Sequence, residues 1–248
     1  MIRKMIIRQS PYFFIASTIY LIVLCCMITL TNQNSAIQYR IEPYIFGSDS
    51  VDLFYTLFIT IPFSWNLYYL KKDGFLHCIG TRISERKYIT IQMIISTCLC
   101  MTMVFLVNMV AIVYSIGIAQ LVQEKNYTLD GYFLSQLQME QPIVFGVFWS
   151  IYKSIIAGII CMIAQIIAIH VSNIFIALLA PFFYVLLENF VTSLLHIPQY
   201  SFMTLNVLNR LAPFSTKYYH IIVLLLFYSL VGVILYTYGV RKNEQFYT

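Results

Sequence analysis

Charged side chains are scarce in this sequence. Lys and Arg together number 15 and Asp and Glu number 10 among 248 residues, so only 10% of the chain is charged. Hydrophobic residues make up 60%, and the mean hydropathy is +0.79. These values lie far outside the range of soluble globular domains and indicate a polytopic membrane protein. The net charge of +5 is small and is divided by apolar runs, so membrane orientation explains it better than a nucleic-acid partner.

Motifs for nucleotide hydrolysis and for common catalytic sites are also missing. The sequence contains no G-x-x-x-x-G-K-[ST] P-loop, no H-E-x-x-H zinc motif and no G-x-S-x-G nucleophile elbow. The histidines are scattered over different segments, and we interpret each as an interfacial side chain rather than a ligand or base. We therefore expect no catalytic residue, no metal ligand and no cofactor-binding residue in this chain.

Cysteine occurs six times without a disulfide or metal pattern. Cys78 lies in a basic segment and the other cysteines lie in predicted spans, so we expect no disulfide framework in the external loops. Cys98 and Cys100 would point about 200° apart on a helix, which argues against a shared metal ion.

Long uncharged runs predict six transmembrane helices. A helix needs about 20 apolar residues to cross the hydrocarbon core, and the predicted spans are 11–31, 51–70, 88–122, 144–170, 174–192 and 220–240. The third span is long enough to tilt or to project from one face. The fourth and fifth share one uncharged run, which we divide at the polar sequence His170-Val171-Ser172-Asn173. The predicted fold class is all-α, with one transmembrane domain over residues 1–248.

The basic residues set the predicted orientation. Both ends of the chain are basic, as is the segment 71–87, so both termini and this segment are expected in the cytoplasm of a multi-pass plasma-membrane protein. The external segments are then 32–50, 123–142 and 193–219. The last of these is rich in Phe, Leu and Met although it contains Pro198 and Pro213, and we interpret it as a re-entrant or interfacial helical hairpin.

The segment from Lys71 to Gln92, KKDGFLHCIGTRISERKYITIQ, is an isolated charged insert between apolar runs. Gly74 and Gly80 flank a small apolar patch, which predicts a short amphipathic helix along the membrane surface. Ser84 would then be the N-cap of the third span. A plain topology-setting loop would explain the charge of this segment but not the order of its residues.

That order resembles a known family. The pair Asp73-Gly74, followed by Arg82-Ile83-Ser84-Glu85-Arg86-Lys87-Tyr88, is similar to the segment between spans 2 and 3 of ABC-2 type exporter permease subunits. Six spans with both ends inside, and a hydrophobic hairpin before the last span, also resemble this family. The resemblance implies a coupling helix that binds a cytoplasmic ABC ATPase subunit. It assigns ATPase coupling to Asp73, Gly74, Phe75, Leu76, Ile79, Arg82, Glu85, Arg86 and Tyr88.

The function that this resemblance implies is ATP-driven export. ATP and Mg²⁺ would be bound by the partner ATPase, and a second permease chain, identical or related, would lie beside this one in the lipid bilayer. The substrate would be an amphipathic peptide or a lipid-like molecule, as in bacterial peptide-export or self-immunity transporters. The alternatives are a non-transport membrane sensor or scaffold subunit and, less favoured, an intramembrane enzyme.

Two charged residues are predicted inside the membrane. Lys153 precedes the turn at His170 by about as many residues as Glu188 follows it, so both should lie at similar depth on antiparallel helices. Isolated charges at such depth are costly and usually find partners. We therefore expect a Lys153–Glu188 ion pair between spans 4 and 5; the alternative is that both residues line the substrate exit.

Overall fold

The computed structural model describes residues 2–35, 37–73, 84–121, 133–211 and 218–242, and this part of the chain folds into helices. Two 3₁₀ turns, Pro198–Tyr200 and Leu208–Arg210, flank the shortest helix. The α-helices, in chain order, are α1 (Ile2–Asn34), α2 (Glu42–Asp52), α3 (Tyr55–Lys72), α4 (Glu85–Ile118), α5 (Ser135–Glu140), α6 (Pro142–His170), α7 (Ile174–Leu194), α8 (Phe202–Asn206) and α9 (Tyr218–Lys242).

Within the described part of the chain, five helices are long and apolar enough to cross a membrane: α1, α4, α6, α7 and α9. Their outer faces expose large hydrophobic side chains such as Ile15, Phe175 and Leu226, as expected of helices in contact with lipid. The chain is therefore an all-α protein with the character of a multi-pass membrane protein. The helix α3 is not among the five, because it carries Asn66 and ends in Lys71 and Lys72.

The predicted division of the long uncharged run is confirmed. α6 ends at His170 and α7 begins at Ile174, so the polar residues between them form the turn. Asn173 is the N-cap of α7, and its side-chain oxygen accepts a hydrogen bond of 2.9 Å from the backbone N–H of Phe175. This is the usual way in which an Asn satisfies a free N–H at a helix start.

The region predicted to hold an external loop and the start of span 2 differs from the expectation. Residues 42–52 form the buried helix α2, and the helix predicted over 51–70 begins only at Tyr55. Asp52 is therefore the last residue of α2 and not part of the following helix. Pro43 is in the first turn of α2, where its missing N–H has no helical partner to lose.

Gly47 allows α2 to lie directly on α1. A Cβ atom at Gly47 would be 2.8 Å from the Cα of Ile28 and 2.9 Å from its backbone nitrogen. Glycine is required here because the atoms that it approaches belong to the backbone of α1 and cannot rotate away. The side chains of Tyr44 and Ile45, which precede Gly47 in α2, are fully buried.

α6 is the most buried of the five apolar helices and contacts α3, α4, α7 and α9. Small residues along it, among them Ala157, Cys161 and Ala164, are fully buried, which brings the neighbouring helices close. The core of the protein therefore surrounds α6.

One end of the bundle gathers segments that are distant in sequence. Met5 of α1, Leu70 of α3, Tyr88 of α4 and Ile169 of α6 belong to one buried cluster, and Tyr236 of α9 packs against it. We call this the basic end, because Lys71, Lys72, Arg86 and Lys87 are here. The starts of α1 and α4 and the ends of α3, α6 and α9 therefore lie at the same end of the bundle.

Candidate functional site

The predicted coupling segment enters and leaves the bundle at the basic end. Asp73 caps the C-terminus of α3, and Ser84 is the N-cap position of α4, as predicted, although its side chain makes no capping hydrogen bond. Glu85 is the first residue of α4. Five other predicted coupling residues, Gly74, Phe75, Leu76, Ile79 and Arg82, lie outside the residues that the structure describes.

The end of α3 is fastened to the turn between α6 and α7. The ammonium of Lys71 donates to the backbone carbonyl of Ile169, and the hydroxyl of Tyr68 donates to the carbonyl of Ser172. Lys71 therefore brings a basic group to a turn that has no Lys or Arg of its own.

The start of α4 is fastened to α9. The hydroxyls of Thr90 and Tyr236 are 2.8 Å apart. Arg86 and Lys87 line a recess of about 530 Å³ between these two helices, together with Ser84, Ile91 and Thr237. Two of the basic groups that follow the predicted coupling helix thus border an opening at the basic end.

The structure places Tyr88, one of the predicted coupling residues, in the interior. Its side chain is only 6% exposed and packs in the cluster with Leu70 and Ile169. A buried ring cannot contact a partner protein in this conformation. Tyr88 therefore holds α4 against α3 and α6, and it is not part of a docking surface.

The predicted ion pair between Lys153 and Glu188 is wrong, because Lys153 binds Asp52. The ammonium of Lys153 is 2.6 Å from Oδ1 and 2.7 Å from Oδ2 of Asp52. Both side chains are fully buried. The physical reason is the position of α2, which places the side-chain carboxylate of its last residue, Asp52, inside the bundle beside α6. A bidentate contact of this kind is a strong, charge-assisted interaction.

Aromatic rings surround the same ammonium. Its nitrogen lies 5.5 Å from the ring centre of Tyr55, 5.6 Å from that of Trp149 and 6.0 Å from that of Tyr44. These distances are within the range of cation–π attraction. We call this group the lysine cage: Lys153, Asp52, Tyr44, Tyr55 and Trp149.

Hydrogen bonds extend the lysine cage to other helices. The indole N–H of Trp149 donates to the hydroxyl of Tyr44 at 3.1 Å, and that hydroxyl donates to Oδ1 of Asn108 on α4 at 2.6 Å. The hydroxyl of Tyr55 donates to the backbone carbonyl of Lys153 at 2.6 Å. The cage thus joins α2, α3, α4 and α6 through buried polar contacts.

The aromatic and amide members of this network were not predicted from the sequence. One signal was present: Trp149 and Lys153 are four residues apart on a helix, which places indole and ammonium on the same face. Tyr44 and Asn108 carried no comparable signal, because their positions depend on how α2 and α4 pack.

Next to the cage, α2 also contacts the segment that follows α7. The side-chain amide of Asn206 donates to the backbone carbonyl of Asp52 at 3.2 Å, and that of Asn209 donates to Oδ2 of Asp49 at 2.9 Å. Burial raises the pKa of Asp49, and the hydrogen bond from Asn209 opposes this rise. The segment with α8 is buried over 201–208, so it is a packed part of the core built from short helical turns.

Glu188 stabilises the start of α8. Its Oε1 and Oε2 accept hydrogen bonds from the backbone N–H of Phe202 at 3.1 and 3.0 Å, and Oε2 also accepts one from the hydroxyl of Ser201 at 3.1 Å. A carboxylate at a helix N-terminus is favourable because of the free N–H groups and the helix dipole. Glu188 therefore ties α7 to α8.

Comparison with known proteins gives no further identification. No protein-family model, no curated protein and no solved structure matches the chain.

Proposed function

We propose that this chain is the permease subunit of an ATP-driven ABC exporter, with six spans and a separate ATPase subunit that docks at the basic end. The observation that supports it best is the attachment of both flanks of the Lys71–Gln92 segment to the bundle. A partner that moves this segment would move α3 and α4. α3 contributes Tyr55 to the lysine cage, and Asn108 of α4 accepts a hydrogen bond from Tyr44 of the cage.

Hydrogen bonds at both flanks of the segment supply the connection to the bundle that this proposal needs. Lys71 and Tyr68 hold the turn between α6 and α7, while Thr90 holds α9. Packed helices transmit small displacements because interiors are dense and resist compression. ATP-driven closure of two ATPase subunits is a rigid-body motion and requires such a stiff connection to the membrane domain.

The six-span topology is part of this proposal. α3 is 18 residues long and would extend roughly 27 Å, close to the thickness of the hydrocarbon core. Its polar residues fit a span shielded by protein, since Ser64 and Asn66 are buried. With α3 counted as a span, the proposed topology puts both termini and the Lys71–Lys87 segment in the cytoplasm, the side on which an excess of basic residues is expected.

Co-purification tests the docking step. Gly74→Pro would fix the backbone and remove an N–H in the coupling segment, and Arg82→Glu would reverse a charge there. We expect recovery of the ATPase with the tagged permease to fall by at least about tenfold in both variants. Arg40→Glu, a charge reversal at the exposed side chain beyond the opposite end of α1, is the matched control and should leave recovery unchanged.

If both coupling-segment variants recover as much ATPase as the unchanged protein, docking at this segment is wrong. If the unchanged protein recovers no ATPase, the permease assignment itself fails, and the sensor or scaffold alternative takes its place.

A further inference from the structure

A cavity of about 310 Å³ lies between α6, α7 and α9. Its walls include Ile163 of α6, Pro181 and Tyr184 of α7, Phe202 of α8 and Tyr228 of α9. This volume is at the lower end of the range for small-ligand pockets. It is separate from the lysine cage and from the recess at the basic end.

The cavity is long, and most of it is apolar. Its lining extends from Ile159 to Ile167 on α6 and from Tyr228 to Leu235 on α9. These stretches correspond to about 10–12 Å along the helix axes. The end toward Ile167 and Leu235 is lined by aliphatic side chains, so it suits a hydrocarbon chain lying parallel to the helices.

The other end of the cavity is polar. The phenol groups of Tyr184 and Tyr228 line the cavity there. Glu188 lies beside this lining, because its carboxylate binds the backbone of Phe202, another lining residue. Glu188 follows Tyr184 by four residues, so it is on the same face of α7 one turn further along. The ring of Phe202 contacts Tyr228 edge-on at 4.9 Å, and the backbone N–H of Phe202 binds Glu188.

Glu188 can accept one more donor. Its two oxygens accept hydrogen bonds from Ser201 and Phe202, while an ionised carboxylate has about four acceptor positions. The side chain is half-buried, and a cation is attracted more strongly to a partly buried carboxylate than to one in water. The charge at this end therefore favours a cationic head group.

We propose that this cavity binds an alkylammonium amphiphile, with its hydrocarbon chain between α6 and α9 and its ammonium hydrogen-bonded to Glu188. As an assignment of the transported substrate, this inference rests on the function proposed above. Binding itself can be measured on the isolated chain without an ATPase, so the two proposals can fail separately.

Photo-labelling of the purified protein in detergent tests the site. The probe is decylamine with a diazirine at the chain end, and labelled residues are located by mass spectrometry. Because the diazirine is at the chain end, we expect labelling at the end of the cavity away from Glu188, in residues 163–167 and 231–235. Unlabelled decylammonium should compete with the probe, and decanoate, which has the same chain length and the opposite charge, should not compete.

Two variants, each with a matched control, test separately the part of the cavity that binds the hydrocarbon chain and the carboxylate that binds the ammonium. Ala180→Trp fills the cavity and Glu188→Gln removes the charge, and each should reduce labelling by about tenfold. Phe183→Trp puts the same bulky group on the exposed side of α7, and Ser201→Ala removes one donor to Glu188 but keeps its charge. Both controls should keep most of the labelling.

Several outcomes would overturn the proposal. These are labelling spread evenly over the exposed apolar faces, competition by decanoate as strong as that by decylammonium, or loss of labelling in Ala180→Trp but not in Glu188→Gln. The competition experiment uses the unchanged protein, so a folding defect in a variant cannot leave the head-group assignment undecided.

Discussion

Lys153 is the residue around which the buried charged and aromatic groups of this protein are arranged. Its ammonium has a bidentate carboxylate partner and three rings around it. Removing two charges from water is costly, and a buried pair offsets that cost only when its geometry is good and its remaining hydrogen bonds are satisfied. The short contacts to Asp52 meet the first condition.

Removing one member of this pair should be far worse than removing both. Lys153→Met leaves Asp52 as an unpaired buried charge, and we expect a loss of about 3–5 kcal/mol in unfolding free energy. The double variant Lys153→Met with Asp52→Asn should recover most of that loss. Thermal unfolding in detergent measures the three proteins and the Asp52→Asn single variant, which completes the cycle.

Glu188 supplies the matched control for this cycle. Lys153→Met combined with Glu188→Gln should be additive, because Glu188 binds the start of α8 and not Lys153. Two results would contradict the Lys153–Asp52 ion pair. One is additive losses of unfolding free energy for Lys153→Met and Asp52→Asn; the other is recovery of stability in the double variant Lys153→Met with Glu188→Gln.

The depth of Lys153 and Glu188 could be estimated from the sequence, but their partners could not. Counting residues from the turn at His170 places both charges in the same half of the bundle. Asp52 comes after a polar stretch that looks like an external loop, and nothing local shows that α2 folds into the protein. Partner choice depends on tertiary packing, which residue counting does not contain.

Among the helices, α2 differs most from what its composition suggests. Three acidic residues within eleven positions indicate a solvent-exposed segment, yet Glu42 and Asp52 are buried. The helix is held by its contact with α1 at Gly47 and by the lysine cage at its other end. It is therefore a structural link between α1 and α6.

Gly47→Ala tests the contact between α2 and α1. The added Cβ would be 2.8 Å from the backbone of Ile28, so α2 must move away and disturb the cage. We expect a loss of about 1–3 kcal/mol in unfolding free energy, the usual range for overpacking. Thermal unfolding in detergent measures it.

Gly117→Ala is the control, because among the described residues no atom outside the adjoining backbone of α4 lies within 4 Å of a Cβ at that position. It should be neutral or slightly stabilising, since alanine favours helix more than glycine does. Equal effects at the two glycines would mean that the α1–α2 contact is not close.

The long apolar helices could be predicted well because a membrane span carries its own signal. The end of α6 and the start of α7 follow from the polar residues between His170 and Asn173. The segment with α8 was predicted as a re-entrant or interfacial helical hairpin, and its described residues instead form short helical turns buried over 201–208. Its short helical turns depend on contacts with Asp49, Asp52 and Glu188, which belong to other parts of the chain.

At the scale of the whole molecule, hydrogen bonds connect the helices at the basic end, and a buried ion pair lies in the interior. The basic end joins the flanks of the Lys71–Gln92 segment to α6, α7 and α9. The lysine cage joins α2, α3, α4 and α6 further along the same helices. In the proposed exporter, force applied at the basic end would reach the lysine cage along these helices.

Photo-cross-linking tests the central claim, that a separate ATPase drives this chain through the Lys71–Gln92 segment. A benzophenone amino acid is placed at Ile79 in the full-length protein within its own membrane, and at exposed Leu195 as a control. We expect a cross-linked product at Ile79 that contains a P-loop ATPase, identified by mass spectrometry, and none at Leu195. Equal capture at both positions, or no ATPase at Ile79, would contradict the account.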